Sequence, residues 1–315
     1  MKILLIKKVN LLIFCCLAAQ VCFAQTDIDA ITMDKHNLCI GPMYSSSSWK
    51  NYWEGTYKRD NANLGTVSSK MYSIMGNYGI KDNLNFLFSV PYIINKASAG
   101  QLHGMQGLQD VSLWLKYLPV EKEIGKGVLS IYTIAGISVP VSNYVADYLP
   151  LSIGLHSRNF SGRIMLDYQA GNFFATGSAT YIYRSNVTID RSAYYTTEMH
   201  YTNEVKMPDA FSENFRIGYR SHRLIAEAVL DNWNTLGGFD IRKNDMPFLS
   251  NKMNSTKGGV NFKYTLNKVS GLSFIAGGNI TLAGRNTGQA STEYGGIFYI
   301  IDFSKNKKTI DNNSK

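Results

Sequence analysis

Asp110-Val111-Ser112-Leu113-Trp114-Leu115-Lys116-Tyr117 alternates without a break. Val111, Leu113, Leu115 and Tyr117 fall on one face, and Asp110, Ser112, Trp114 and Lys116 on the other. Successive side chains of an extended chain point to opposite sides, so the stretch reads as a strand with one apolar and one polar surface. The same period of two returns in 162–170, where Ile164, Leu166 and Tyr168 oppose Arg163, Asp167 and Gln169. It returns again in 214–220, with Phe215, Ile217 and Tyr219 against Asn214, Arg216 and Gly218, and in 260–266, with Val260, Phe262, Tyr264 and Leu266 against Asn261, Lys263 and Thr265.

About twelve such segments follow one another: 36–45, 67–78, 83–93, 107–118, 127–140, 160–170, 173–184, 211–220, 223–233, 256–266, 271–282 and 292–303. Their connections alternate in length. Lys81-Asp82-Asn83, 119–126, Gly171-Asn172, Ser221-His222 and 267–270 are short, while 46–66, 94–106, 141–159, 185–210, 234–255 and 283–291 are long. Short turns on one side and long loops on the other describe an antiparallel transmembrane β-barrel with periplasmic turns and extracellular loops. Lipid cannot hydrate open backbone, so such a sheet must close on itself. A soluble β-sandwich also alternates apolar with polar residues, but it gives no reason for the regular long-short rhythm or the even strand count. Aromatics near segment ends (Tyr78, Tyr92, Tyr117, Tyr168, Tyr183, Tyr219, Tyr264 and Phe303) suit the two girdles of a membrane barrel.

Composition agrees. The chain has 315 residues and a net charge of +9, yet only 17% of it is charged, and Tyr (20) outnumbers every other aromatic. That balance argues against a disordered chain, a coiled coil or a nucleic-acid-binding tail. The basic excess is scattered apart from the terminal lysines, so no nucleic-acid partner is expected.

Residues 1–24 read as a secretory signal peptide. Lys2, Lys7 and Lys8 form its basic region, Leu11 to Ala19 its apolar region, and Cys22-Phe23-Ala24 precedes a cut before Gln25. The apolar stretch is too short for a transmembrane anchor, and the bulky Val21 before Cys22 speaks against a lipoprotein signal. Cleavage removes Cys15, Cys16 and Cys22, leaving Cys39 alone and no internal disulfide, and it takes away three lysines, lowering the charge from +9 to +6. The barrel is expected over 25–303 and a polar periplasmic tail over 304–315, with Lys305, Lys307 and Lys308 beyond Phe303. Segment 25–35 is short and polar, so no N-terminal plug domain is expected.

The polar faces carry Asp110, Lys116, Arg163, Asp167, Arg184, Arg216, Glu227, Asp231, Lys263 and Asp302, which a barrel would direct into one lumen. Acids and bases pairing there would hold the barrel's shape, because buried charges need partners. The same residues could instead form a polar constriction that selects solutes. In the long loops, Trp49, Tyr52, Trp53 and Tyr57 cluster in the first, and Tyr194, Tyr195, Met199 and Tyr201 in the fourth. Such rings suit capture of an apolar solute, and they equally suit an interfacial position or loop-on-loop packing. None of the five His begins a His-x-Ser pair, and His156-Ser157 are adjacent and would face opposite ways on a strand. No zinc-ligand spacing and no phosphate loop appears. Gly277-Gly278 and Gly295-Gly296 read as strand bends. No enzyme activity, cofactor or metal is expected.

Several stretches resemble a known family: Tyr52-Trp53-Glu54-Gly55, Tyr78-Gly79-Ile80-Lys81-Asp82-Asn83-Leu84, Ser89-Val90-Pro91-Tyr92, and Gly107-Leu108-Gln109-Asp110 running on through Tyr117. Together they are similar to outer-membrane proteins of the phenol-degradation meta-pathway type, distant relatives of the long-chain fatty-acid transporters. The match covers about residues 50–117, and Gln109 departs from it where a small residue is expected. The resemblance implies an outer-membrane barrel passing small hydrophobic molecules, aromatics or fatty acids, by passive or facilitated diffusion. Its partners would be outer-membrane lipid and the solute; oligomeric state is left open. The alternative is a structural or adhesive outer-membrane barrel whose lumen is closed by charge pairs.

Overall fold

The computed structural model describes residues 26–304 apart from Asn244 and Lys268. The expected signal peptide lies outside them, as does the tail beyond Ser304. Twelve long strands make up the wall: β1 Asn37–Trp49, β2 Val67–Lys81, β3 Leu84–Ala97, β4 Asp110–Ile124, β5 Gly127–Pro140, β6 Asn159–Ala170, β7 Phe173–Arg184, β8 Ala210–Arg220, β9 Leu224–Thr235, β10 Asn254–Thr265, β11 Leu272–Arg285 and β12 Ser291–Asp302. Each pairs antiparallel with its neighbours in sequence. β12 pairs back onto β1 from Asn37↔Asp302 to Ser48↔Ser291, which closes the sheet. The closed twelve-stranded antiparallel barrel read from the alternation is the observed fold.

The largest departure is in β4. The stretch 119–126 read as a turn, yet the strand continues to Ile124 and the ladder with β5 slips between Tyr117 and Val120. Pro119 sits in that slip, where a missing N–H breaks no ladder bond. At the closing seam the register lapses at Gly41-Pro42 and resumes at Met43. There a Cβ on Gly41 would come within 1.9 Å of the Ile297 carbonyl oxygen, so only glycine fits.

The period of two sorts the wall into two surfaces. In β6, Ile164 is 61% exposed while the next residue, Met165, is 0% exposed and faces the interior. Tyr117, Tyr168, Phe173, Tyr264, Phe274 and Tyr299 form an outward ring at the turn end, and Tyr44, Tyr72, Tyr92, Phe160, Tyr181 and Tyr183 form one at the loop end. From Phe173 to Tyr183, at about 3.3 Å per residue and a tilt of roughly 40°, the girdles stand roughly 25 Å apart, the height of an outer-membrane apolar band.

Candidate functional site: the lumen and its loop cap

The lumen is occupied by the chain itself. At the turn end His36 takes a left-handed φ of 65°, with its amide bonded to the Gly79 carbonyl and its own carbonyl accepting from the Phe303 amide. Residues 26–35 therefore run up inside the barrel as a strap. The segment is too short for a plug domain, as its sequence suggests, but these ten residues still take up lumen space because wall side chains grip them. The Lys116 ammonium is 0% exposed and reaches Thr26 O at 2.6 Å, Asp29 O at 2.7 Å, Asp29 Oδ1 at 3.1 Å and Ile31 O at 3.2 Å. Arg163 donates through Nη1 to Asp27 O at 2.8 Å and Asp27 Oδ2 at 3.0 Å, and through Nε to Thr180 Oγ1 at 2.7 Å. The Tyr132 hydroxyl donates to Ala30 O at 3.0 Å, and Asn85 Nδ2 to Met33 O at 3.3 Å. Ala30 packs among Tyr132, Ile134 and Met165, and Met33 among Cys39, Ile275 and Phe298. Gly79 lets the strap pass, since a Cβ there would lie 2.1 Å from Asp34 O.

The other inward charges bond mainly within the wall. Arg216 pairs with Glu227 on the adjacent strand, and Asn261 adds a bond to the same carboxylate at 2.8 Å. Asp167 meets Arg220 at 2.9 Å and Thr176, and the Arg220 guanidinium lies 3.9 Å over the Phe174 ring. Arg220 was missed in the sequence; its place four residues after Arg216, on the same face of β8, was the available signal. Asp231 accepts from Asn214. The Arg184 guanidinium lies 5.2 Å over the Trp233 ring. Lys263 is buried on β10, and Asp302 accepts from Ser304 at the turn end. Asp110 accepts from the Tyr144 hydroxyl at 2.6 Å at the loop end. Burial, followed by that bond to Asp110, pushes the Tyr144 phenol far above its ordinary range. Asp34, where the strap enters, is pushed up by burial and then by the neighbouring Asp82 and Asp302 carboxylates. Beside the strap, bounded by residues of β8–β12 such as Arg216, Glu227, Lys263 and Tyr294, a cavity of about 230 Å³ remains.

The long loops form a cap with its own core. Ala146, Val187, Ile189, Tyr194, Val205, Met207 and Leu249 pack together from three connections, and Leu64 of the first loop and Val67 at the start of β2 pack with Leu151 of the third. The sequence-predicted aromatics fall into separate places. Trp49 and Tyr52 lie 6.1 Å apart, and the rings of Trp49 and Trp53 cover Gly288 and Gly284, where a Cβ would come within 2.5 Å of them. The first loop thus packs on the sixth, because β12 closes against β1. Tyr57 and Tyr201 point to solvent at 72% and 86% exposure. Tyr194 and Tyr195 line a different cavity, of about 590 Å³, with Tyr148, Phe239 and Phe248 of the third and fifth loops. Arg285 donates to Asp240 at 2.8 and 2.6 Å and ties the fifth loop to the end of β11; those bonds hold the Asp240 carboxyl below its usual range. Among the described residues, no group of three His, Cys, Asp or Glu side chains could hold a metal ion.

No family model matches the sequence, and no curated protein matches it. Among solved structures, the COG4313 outer membrane channel from Pseudomonas putida F1 superposes with a TM-score of 0.69 at 13% identity, over 88% of this chain and 100% of that chain. The fold is that of an outer-membrane β-barrel. The TodX deltaS2S3 mutant monoaromatic hydrocarbon channel gives 0.45 at 9% identity over 86% of this chain and 91% of that one. The translocator domain of autotransporter NalP from Neisseria meningitidis gives 0.43 at 9% over 88% and 90%.

Proposed function

We propose that this barrel is an outer-membrane channel that admits small hydrophobic molecules, of the aromatic or fatty-acid kind, down their concentration gradient. The ring-lined cavity of about 590 Å³ at the loop end supports this reading, because aromatic walls of that volume dehydrate an apolar solute before it meets the membrane region. The resemblance of residues 50–117 to the phenol-degradation meta-pathway type points the same way, as does the fold shared with the Pseudomonas putida outer membrane channel. A second reading has its own observation: strap and ion pairs obstruct the lumen, as a purely structural barrel would require.

Uptake of a neutral aromatic by intact cells with and without the protein, run beside single-channel recording, separates the two. The channel reading expects faster uptake with little ionic current, since the strap and the ion pairs narrow the polar lumen. Unchanged uptake would leave the structural barrel as the account.

A further inference from the structure

Connections 141–158, 185–209 and 236–253 enclose the loop-end cavity, and one side of it is a run of rings. Tyr194 stacks on Phe248 at 5.3 Å and Phe248 meets Phe239 at 6.4 Å, while His200, outside the lining, stacks on Tyr194 at 4.7 Å. Ring faces carry negative potential and attract cations. The protein already uses them this way: the Arg191 guanidinium lies 5.7 Å over Phe248, and that of Arg242 lies 4.6 Å over Tyr195.

The charge around the cavity is lopsided. Asp147, Asp190 and Asp245 border it against the Arg191 guanidinium, with the Arg242 guanidinium over Tyr195 at its rim. Asp147 is committed to Arg191 at 2.9 Å. The carboxylates of Asp190 and Asp245 have no hydrogen-bond or ion-pair partner among the described residues, and both are exposed at the cavity's edge. A fatty-acid anion entering here would meet an excess of negative charge, so of the solutes in the channel reading this cavity suits a neutral aromatic better than a fatty acid. A neutral aromatic would use the rings alone, whereas a hydrophobic cation would use rings and carboxylates together.

We infer that this cavity is a binding site for compact hydrophobic cations, an aryl or alkyl body carrying an ammonium- or phosphonium-type charge. The inference rests on the channel reading only for its purpose; the binding itself stands on the cavity. Tetraphenylphosphonium and tetraphenylborate provide the test, being matched in size and opposite in charge. Each is titrated calorimetrically into the purified protein in zwitterionic detergent at low salt, with the heats of empty micelles subtracted. The phosphonium is expected to bind at least about tenfold more tightly than the borate, and Asp190→Asn with Asp245→Asn to erase that preference. Equal affinities, no binding of the phosphonium, or a double variant that keeps the preference would overturn the assignment. A protein that shows the charge preference yet gives no uptake in cells would sink the channel reading and leave this site standing.

Discussion

Replacing Lys116 by Met tests the grip on the strap. The side chain has the volume to fill the site, so the change removes the charge and its donors with little loss of packing. In the wild type one buried ammonium serves four acceptors on residues 26–31, one of them the Asp29 carboxylate. Its loss strands that carboxylate in the lumen. Removing one partner of a buried ion pair costs about 3–5 kcal/mol, which shifts the docked-to-undocked ratio of the strap by roughly 10²–10⁴-fold. The readout is a cysteine at position 28, where Ile28 lines the lumen cavity, labelled by a membrane-impermeant maleimide in lipid vesicles; the native Cys39 is buried and gives a low background. The Lys116→Met protein is expected to label faster by about that factor. Adding Asp29→Asn removes the stranded charge and is expected to bring labelling back toward the wild-type rate. A Lys116→Met protein that labels like wild type, with its barrel still folded by heat-modifiability on a gel, would refute the grip of Lys116 on the strap.

Two further outcomes follow from the wall and the cap. Ile164→Lys places an ammonium on the lipid face of β6 and is expected to lower unfolding stability in lipid vesicles by about 2–4 kcal/mol, read from urea titrations. The Asp240–Arg285 tie holds a carboxyl whose pKa lies below its unfolded value of 3.8, so its stabilisation is complete above that pH and is lost only as pH falls through the lower folded value. Protease cleavage in the fifth loop is therefore expected to stay slow down to pH 4 and rise below it, whereas Asp240→Asn should cleave faster already at neutral pH.

How much was readable follows from the range of the forces involved. Alternation in β4 and β6 is local, and lipid outside with a polar lumen inside enforces it residue by residue, so strands and closure were legible. The strap was not, because its meaning lies in partners far along the chain: Asp27 and Asp29 are ordinary surface residues until Arg163 and Lys116 are brought opposite them. A signal existed in the acids of Asp27-Ile28-Asp29, interleaved with apolar residues, facing two lumen cations that lack an acid of their own. The grouping of loops was equally hidden. Trp49 and Trp53 lie on the sixth connection because closure puts β12 beside β1, and no run of residues in the first loop records that neighbour.

One side of this wall meets hydrocarbon, and the other encloses a lumen partly filled by the chain. All four tryptophans, Trp49, Trp53, Trp114 and Trp233, lie on the inner face or in the cap. Fluorescence quenching in vesicles of brominated phospholipid reads this directly. Little quenching is expected of the wild-type protein, and strong quenching of the added ring in Ile164→Trp. Strong quenching of the native tryptophans, or an Ile164→Trp protein whose new ring is untouched by the brominated chains, would contradict that arrangement.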